Sequence, residues 1–470
     1  MRTQVPFVGP GTPSRSVQID AQRTLNLYSQ VEKANAKTPL ALYCHPGLQL
    51  VTAIGNGPHR SNGVEFQGKM HVVSGGQLLS FDRNEAVTTI GSLSTVEGRC
   101  SIVAGRDYVM AVDGTTGYTW DGTTFAAISD GDFPDGATHV TYLDGYFIVN
   151  SPGSDEVYIS ALEDPTAWAA LDFTVAEANP DDVLAVAANH KDLYLIGSVT
   201  TEVYYNSGNA DFPFDPYANG ALEWGIQAPA SLAEADGRFF WLARTRSGGG
   251  VAIMVDGFAG QVISTPAHNW QFGELDTITD AVGFAYKLRG GTFYELTFPA
   301  AGKTYVFHVE QGMWHESGSH GIGRHRANTH GFFDNRHFAG DYLNGNLYEL
   351  DYATYTDNGD PIERLRRTAV VHRDRRRLHI HEIEVECEAG VGLTSGQGSD
   401  PQIMLRYSKD GGKTWSSELW RSLGKKGQYA QRAVWRQLGI ARQFVFEIVV
   451  TDPVELTIIN GYLDIEVLSA

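Results

Sequence analysis

The sequence is poor in cysteine, in long apolar runs and in positive charge. Its 470 residues include only three cysteines, Cys44, Cys100 and Cys387, which lie far apart in the chain. Three scattered thiols fit a reducing compartment, and we interpret them as small buried hydrophobic residues. No apolar run approaches the roughly 18 residues that a membrane span needs, so no membrane-spanning segment is predicted. Residues 1–16 lack a basic region followed by an apolar stretch, so we expect no secretory signal. We therefore expect the protein to be synthesised and folded in a cytoplasm.

Motifs for catalysis and cofactor binding are also missing from the sequence. It contains no phosphate loop ending in Gly-Lys-Ser/Thr, no Gly-x-Ser-x-Gly turn and no His-Glu-x-x-His zinc motif. Carboxylate pairs are plentiful, but they mean little by themselves in an acidic chain. We therefore predict that the protein is not an enzyme and has no catalytic residues, no cofactor and no metal site.

Positive charge is scarce and unevenly distributed. The chain has 36 Lys+Arg and 55 Asp+Glu, a net charge of −19. Residues 363–470 hold 16 of the former and 14 of the latter, so this segment carries +2 and residues 1–362 carry −21. Tight DNA binding uses Lys and Arg to displace the counterions of the phosphates. The acidic part is therefore predicted not to bind nucleic acid tightly, and its charge is compatible with repelling it.

What the chain does have is glycine, aromatic residues and a repeat. About seven times between Gly63 and Gly359, an apolar strand meets a second strand across a turn that contains Gly, Asp or Asn. The copies begin, 35 to 51 residues apart, near Gly63, Gly98, Ala137, Asp182, Ala228, Thr279 and Asn328. Such periods are typical of a β-propeller, whose blades must stack because one blade cannot bury its own faces. We predict six or seven blades, since a terminal copy could be incomplete.

The segments on either side of the repeat have different patterns. Residues 1–62 predict an extended N-terminal arm with linking strands, which could complete a blade or pack against the C-terminal domain. After Pro361, alternating apolar and polar residues predict a C-terminal antiparallel β-sandwich. The predicted fold is all-β, with an arm (1–62), a propeller (63–362) and a sandwich (363–470). Helix is scarce, and one short helical turn is expected at residues 164–170.

Residues 408–415, Ser-Lys-Asp-Gly-Gly-Lys-Thr-Trp, fit the Asp-box pattern through Ser408, Asp410, Gly412 and Trp415. In such a hairpin the carboxylate accepts backbone N–H groups, glycine takes a positive φ and the tryptophan packs under the turn. Asp boxes also occur in sialidases, so a glycosidase has to be considered. The chain has a single box outside the propeller, which favours a structural hairpin.

Seven arginines crowd the start of the C-terminal segment: Arg364, Arg366, Arg367, Arg373, Arg375, Arg376 and Arg377. This basic run could contact DNA or an acidic partner. On alternating strand positions it could equally be a solvated face, and both interpretations stay open. The charge asymmetry of the chain makes the run a candidate protein interface.

Two further clusters, one of histidines and one of aspartates, are interpreted as structural rather than metal-binding. Six histidines recur at nearly five-residue spacing, at His308, His315, His320, His325, His330 and His337. This spacing matches no short zinc motif, so we interpret them as surface or loop residues. Asp130, Asp132 and Asp135 offer the oxygen donors that calcium prefers, but no Glu follows at the twelfth position, and we interpret them as a turn between blades.

Four stretches, spread over nearly the whole chain, carry a family resemblance. They are Leu25-Asn26-Leu27-Tyr28 with Cys44-His45-Pro46-Gly47-Leu48; residues 144–149 (DGYFIV), 158–162 (YISAL) and 164–168 (DPTAW); residues 202–208 (EVYYNSG) with Asp211-Phe212-Pro213-Phe214; and Trp435-Arg436-Gln437-Leu438-Gly439 to the end. In order and spacing they resemble the tail-hub, or tail-nozzle, proteins of short-tailed bacteriophages, also called packaged-DNA stabilisation proteins. None of these stretches is catalytic.

The resemblance implies a structural virion protein that forms a homohexameric ring below the portal and its adaptor ring. It implies retention of packaged DNA and a conduit for genome ejection, through which double-stranded DNA passes without specific binding. The implied partners are the adaptor ring protein, a tail needle or plug, and a tailspike or fibre. The implied location is the virion tail, after synthesis in the cytoplasm of the host bacterium. The alternative is a glycan-binding or glycan-cleaving tail propeller.

Overall fold

The computed structural model describes residues 2–5, 7–9, 11–33, 35–176, 181–209, 212–245 and 249–468. Asp211 of the resembling stretches lies outside them, as do Met1, Pro6, Pro10 and Ala34 of the predicted arm and Ser469 and Ala470 of the predicted sandwich. The chain forms two compact units. The sandwich unit comprises residues 1–49, 302–325 and 350–470, and the propeller unit comprises residues 50–301 and 326–349. Among the described residues, no helix has the length and hydrophobicity of a membrane-spanning segment.

The N-terminal segment is composed of strands and connecting loops. Its strands are β1 (Arg2–Val5), β2 (Arg23–Leu25), β3 (Leu27–Val31), β4 (Leu40–Cys44) and β5 (Gly47–Ala53). Leu50–Ala53 of β5 belong to the propeller unit, and the other four strands belong to the sandwich unit. The segment therefore contributes strands to both units.

Five sheets of the propeller unit are four-stranded antiparallel meanders. They are β6 (Val64–Phe66), β7 (Lys69–Ser74), β8 (Gln77–Phe81) and β9 (Val87–Ser92); β10 (Ser101–Ala104), β11 (Val109–Val112), β12 (Gly117–Trp120) and β13 (Phe125–Ala127); β14 (Val140–Leu143), β15 (Tyr146–Asn150), β16 (Glu156–Ala161) and β17 (Asp164–Val175); β18 (Val183–Asn189), β19 (Asp192–Gly197), β20 (Thr201–Asn206) and β21 (Phe214–Leu222); and β22 (Ala233–Ala235), β23 (Arg238–Arg244), β24 (Gly250–Asp256) and β25 (Ala259–Val262). Each meander buries its middle strands, as hairpins of apolar and aromatic residues should.

The remaining strands complete both units. They are β26 (Val282–Leu288), β27 (Gly291–Phe298), β28 (Lys303–His308), β29 (Met313–Ser317), β30 (Ala327–Phe333), β31 (Arg336–Asp341), β32 (Asn346–Asp351), β33 (Thr356–Asp357), β34 (Asp360–Pro361), β35 (Arg364–Arg367), β36 (Val371–His372), β37 (Leu378–Cys387), β38 (Gln402–Ser408), β39 (Leu419–Ser422), β40 (Ala433–Ala441), β41 (Gln443–Val450) and β42 (Ile458–Val467). The propeller unit contains the hairpin β26–β27 and the sheet β30-β31-β32, which β5 extends.

The described propeller residues form seven sheets in a closed ring. The first strands of most successive sheets contact one another, and β30 of the last sheet contacts β6 of the first. The fourth and fifth sheets are joined by an apolar cluster in which Tyr194 packs with Phe239 and Trp241. Apolar clusters fill the spaces between neighbouring sheets; in one of them Phe333 and Phe338 pack with Met70 and Phe81. The predicted starts of the repeat copies lie within five residues of β6, β10, β14, β18, β22, β26 and β30. The predicted propeller is confirmed, and the structure has seven blades.

The sandwich unit packs two sheets around one apolar core. One sheet has the order β3-β4-β42-β37-β40, with β1 paired to β42, and the other includes β29-β2-β35-β41-β38-β39. Leu27 and Leu42 of the N-terminal segment share the core with Trp435 and Phe446. The predicted sandwich is confirmed, and it includes strands from residues 1–49. The division of the sequence at residues 62 and 362 stays a prediction.

The one expectation about the position of a helix was wrong. Residues 164–170 do not form a helical turn, because they begin strand β17, where the Asp164 carboxylate accepts the Thr166 amide and the Trp168 side chain is buried against Phe133. The α-helix of the described residues is α1 (Pro266–Gly273), which begins after the N-cap Thr265. Single 3₁₀ turns occur at Pro229–Ser231 and Val309–Gln311.

Candidate functional site

The basic run divides into a buried half and an exposed half. Strand β35 lies between β2 and β41, so its alternate side chains face the interior of the sandwich unit. Arg364 and Arg366 are 1% and 0% exposed. The Arg364 guanidinium donates to the carbonyls of Asp452 and Tyr355 at 3.0 and 3.1 Å. These two side chains act within the fold. Leu365 between them is also buried, so sequence alternation did not show that both faces of β35 are covered.

Arg366 ties the N-terminal segment to β35. Its guanidinium donates to the Phe7 carbonyl at 2.5 Å, the Thr24 hydroxyl at 2.8 Å and the Gln22 side-chain oxygen at 2.6 Å. Burial lowers its pKa to about 10, and the charge of Asp20 opposes that shift. The predicted extended arm is therefore held by a buried cation through mainly neutral acceptors.

Arg367 belongs to a charge network that the sequence did not reveal. It donates through Nε and Nη2 to Oε2 of Glu447 at 2.8 and 2.7 Å, and Arg406 donates to Oε1 of the same carboxylate. Glu447 is completely buried. The Arg367 and Arg406 guanidinium carbons lie 4.9 and 5.7 Å from the centroid of the Trp415 ring. The Asp-box tryptophan thus packs on two arginines that share one carboxylate.

The Asp box is a tight turn between β38 and β39. The Asp410 carboxylate accepts the amides of Lys413 and Thr414, both at 2.9 Å, while the Ser408 hydroxyl accepts the Gly412 amide. Gly412 has φ +96°, a conformation that other residues rarely adopt. The hydroxyl and amide of Thr414 and the hydroxyl of Ser408 hold the pKa of Asp410 well below its usual range. The donors around this carboxylate come from the turn itself.

The exposed half of the run forms what we call the arginine turn, made of Arg373, Arg375, Arg376 and Arg377. It connects β36 to β37, and all four side chains are exposed. The Arg376 amide donates to the Arg373 carbonyl at 2.8 Å, and Arg375 has φ +59°. Within the described ranges no carboxylate forms an ion pair with these four side chains. The interface prediction therefore applies to this turn and stays a prediction.

The interpretation of the six histidines as surface or loop residues was wrong for the strand residues His308, His315, His330 and His337, and His325 lies in a loop but is buried. His308, His315 and His325 are buried in the sandwich unit, where His45 lies 5.6 Å between ring centroids from both His315 and His325. Burial and the neighbouring His325 lower the pKa of His45 to about 3. Burial also lowers the pKa of His315 far below its usual value. Five-residue spacing hid this cluster because its fourth member comes from the N-terminal segment.

The other three histidines lie elsewhere. His330 and His337 face each other on β30 and β31, with Nε2 and Nδ1 3.0 Å apart, and burial lowers the pKa of His330 to about 3. His320 is exposed in a turn. These positions hold no set of three converging metal ligands among the described residues.

Metal-ligand geometry occurs at a place that the sequence did not single out. His379, His381 and Glu466 each place one ligand atom within 4.8 Å of the other two. The predicted turn at Asp130, Asp132 and Asp135 shows no such convergence within the described residues. Asp130 instead accepts the amides of Asp132 and Trp168, at 3.0 Å each. The sequence signal for the triad was the His-x-His spacing on a strand.

The comparisons with known proteins cover both units. One family model, described as the β-propeller of bacteriophage P22 Gp10, matches residues 4–355, and another, described as the β-sandwich of the same protein, matches residues 363–466. A search of curated proteins found no match.

Two solved structures are similar to the chain. The WD40 domain of Neurospora crassa Pan2 is 9% identical at a TM-score of 0.40, with 63% of this chain and 89% of that chain covered. The RRP9 WD40 repeats are 8% identical at a TM-score of 0.42, with 66% and 99% covered. The two family matches together span most of the 470 residues. The chain belongs to the bacteriophage P22 Gp10 family of structural phage tail proteins that stabilise packaged DNA.

Proposed function

We propose that this protein is the tail nozzle of a short-tailed phage, a hexameric ring below the portal and its adaptor that retains packaged DNA and guides the genome during ejection. The observation that carries the proposal is the match of one family to both the propeller and the sandwich. The tail needle or plug and the tailspike or fibre would be neighbouring proteins. Synthesis would take place in the cytoplasm of the host bacterium.

The charge distribution supports a conduit that DNA passes without binding. Each Lys or Arg that neutralises a phosphate strengthens binding, and such contacts would retard a moving duplex. Six copies at −19 would carry −114 in total. Salt limits the reach of this charge to about 10 Å at 0.1 M, so only DNA close to the wall would be repelled.

The arginine turn supports a protein neighbour at the sandwich unit. Arg373, Arg375, Arg376 and Arg377 are exposed, and residues 363–470 as a whole carry only +2. A local group of exposed arginines on a nearly neutral segment fits an acidic surface on a partner, because Arg binds carboxylates in a bidentate manner. We propose that an adjacent tail protein supplies that acidic surface.

Electron microscopy of assembled particles, together with native mass measurement of the purified ring, tests the proposal. We expect six copies around a central opening, and particles without this protein should lose their packaged DNA. A monomer that releases sugar from host polysaccharide would instead support the glycan-cleaving alternative. Particles that keep their DNA without the protein would contradict the retention role.

A further inference from the structure

The outer face of the sandwich sheet carries two histidines and a glutamate on neighbouring strands. Leu378 and Ile380 of β37 point into the core, and His379 and His381 alternate with them on the opposite face. Glu466 of β42 is the direct cross-strand partner of His379. Side chains two residues apart on a strand share a face, so all three groups lie on one patch.

A break in strand register brings His381 into this group. The pairing of β37 with β42 shifts between Ile380 and Glu382, so His381 is the extra residue of a bulge. Bulges redirect a side chain and are common next to functional sites. The two imidazole rings consequently lie 4.1 Å apart between centroids.

The distances suit a bound metal ion. Oε2 of Glu466 lies 3.2 Å from Nε2 of His381 and 3.9 Å from Nδ1 of His379. Zinc binds imidazole nitrogen and carboxylate oxygen at about 2.0–2.2 Å, which places tetrahedral ligands roughly 3.3 Å apart. The two carboxylate–imidazole separations thus lie within about 0.6 Å of the spacing of tetrahedral zinc ligands.

We propose that His379, His381 and Glu466 bind a divalent transition-metal ion of the zinc class, with an open coordination position for water. Two imidazoles and one carboxylate form a donor set that zinc uses, whereas calcium and magnesium prefer oxygen donors only. The two histidines lie on β37 and the glutamate on β42. These strands pair with each other, and β37 also pairs with β40.

Calorimetric titration of the full-length protein with ZnCl₂, after removal of metal with a chelator, tests the site. We expect one zinc ion per chain. His379→Ala, His381→Ala and Glu466→Gln should each weaken zinc binding at least about tenfold. Loss of a residue that only hydrogen-bonds to a metal ligand already lowers metal affinity by about tenfold or more. His320→Ala removes an exposed histidine outside the triad and should leave the affinity unchanged.

Two further measurements test whether the triad itself holds the ion. Cobalt(II) should give the visible absorption bands of a low-coordinate nitrogen and oxygen site, and the His379→Ala/His381→Ala double variant should lose them. Circular dichroism should show that these surface variants are folded. The proposal would be overturned if the calorimetric titration showed no saturable binding of one zinc ion per chain. Zinc binding that persists in the folded double variant would also overturn it.

Discussion

Apart from the contacts that close the ring between the first and last blades, buried side chains of the propeller unit contact neighbours from the same or the next sheet along the chain, whereas the sandwich unit joins residues more than 300 positions apart. Two buried arginines illustrate the contrast. Arg60 donates to the carbonyls of Gly75, Thr95 and Glu97, all within 40 residues. Arg366 donates to Phe7, 359 residues away. One unit depends on local repetition and the other on the return of the N-terminal segment.

This difference has consequences for stability and folding. A hairpin repeat closes short loops, so each blade is organised mainly by its own sequence. The sandwich core forms only when β1, β3 and β4 meet β37–β42, which demands closure of a very long loop. We therefore expect changes in the sandwich unit to act over a long sequence distance and changes in the propeller unit to act locally.

The largest effect is expected from the buried carboxylate of the sandwich unit. Glu447→Gln leaves Arg367 and Arg406 without their shared negative partner, and should lower the free energy of unfolding by about 3 kcal/mol, the low end for a broken buried pair. Chemical denaturation followed by tryptophan fluorescence measures the loss. Glu349→Gln is the control in the propeller unit, because the Glu349 carboxylate is itself partly exposed whereas that of Glu447 is buried, and it should cost no more than about 1 kcal/mol. An equal loss of unfolding free energy in Glu447→Gln and Glu349→Gln would contradict the expectation that the buried carboxylate of the sandwich unit matters more.

The two buried arginines provide the next test. Arg366→Met and Arg60→Met each leave buried oxygens without a donor, and each should cost about 1–3 kcal/mol. Hydrogen exchange should then locate the damage in residues 7–24 for Arg366→Met and in residues 95–98 for Arg60→Met. Unchanged exchange of residues 7–24 in the Arg366→Met variant would contradict the anchoring role of this side chain.

Acid should destabilise the protein through its buried histidines. The pKa of His45 is about 3 in the folded chain and about 6.5 when unfolded, so the unfolded state binds more protons below pH 6.5. The contribution of each such histidine to stability should therefore be flat above pH 7 and fall with decreasing pH, by about 1.4 kcal/mol per pH unit between pH 6 and 4. His45→Gln should reduce the slope by that amount and His320→Gln should not. An unchanged slope in His45→Gln would show that His45 takes up its proton in the folded state.

The smallest effect on stability is expected at the arginine turn. Replacement of Arg373, Arg375, Arg376 and Arg377 by serine should change the free energy of unfolding by less than about 0.5 kcal/mol per substitution, since all four are exposed. The same variant should incorporate poorly into phage tails, as measured by sedimentation of assembled particles. Serine at the exposed Arg83, Arg106 and Arg289 of the propeller unit is the control and should not affect incorporation. Normal incorporation of the arginine-turn variant would rule the interface out.

Particular residues show how far the sequence could be read. The hairpins were predictable because an apolar run, a turn residue and a second apolar run are contiguous, as at Val109–Val112 and Gly117–Trp120. The Asp box was recognisable for the same reason. Residues 164–170 were misassigned because the burial of Trp168 against Phe133, which is not local, holds them in a strand. The histidine cluster was missed because it combines residues from segments almost 300 positions apart.

The sequence by itself determined the all-β fold, the repeated blades, the C-terminal sandwich and the family of the protein, since these depend on short-range patterns and on residues that occur in order along the chain. Only the tertiary structure decided that the propeller has seven blades, that β5 joins the last of them, and that Arg364 and Arg366 are interior while the arginine turn is exposed. It also brought Glu466 beside His379 and His381. The physical reason is that strand pairing between distant segments selects which face of each strand is buried, and the pattern within one strand does not specify its partner.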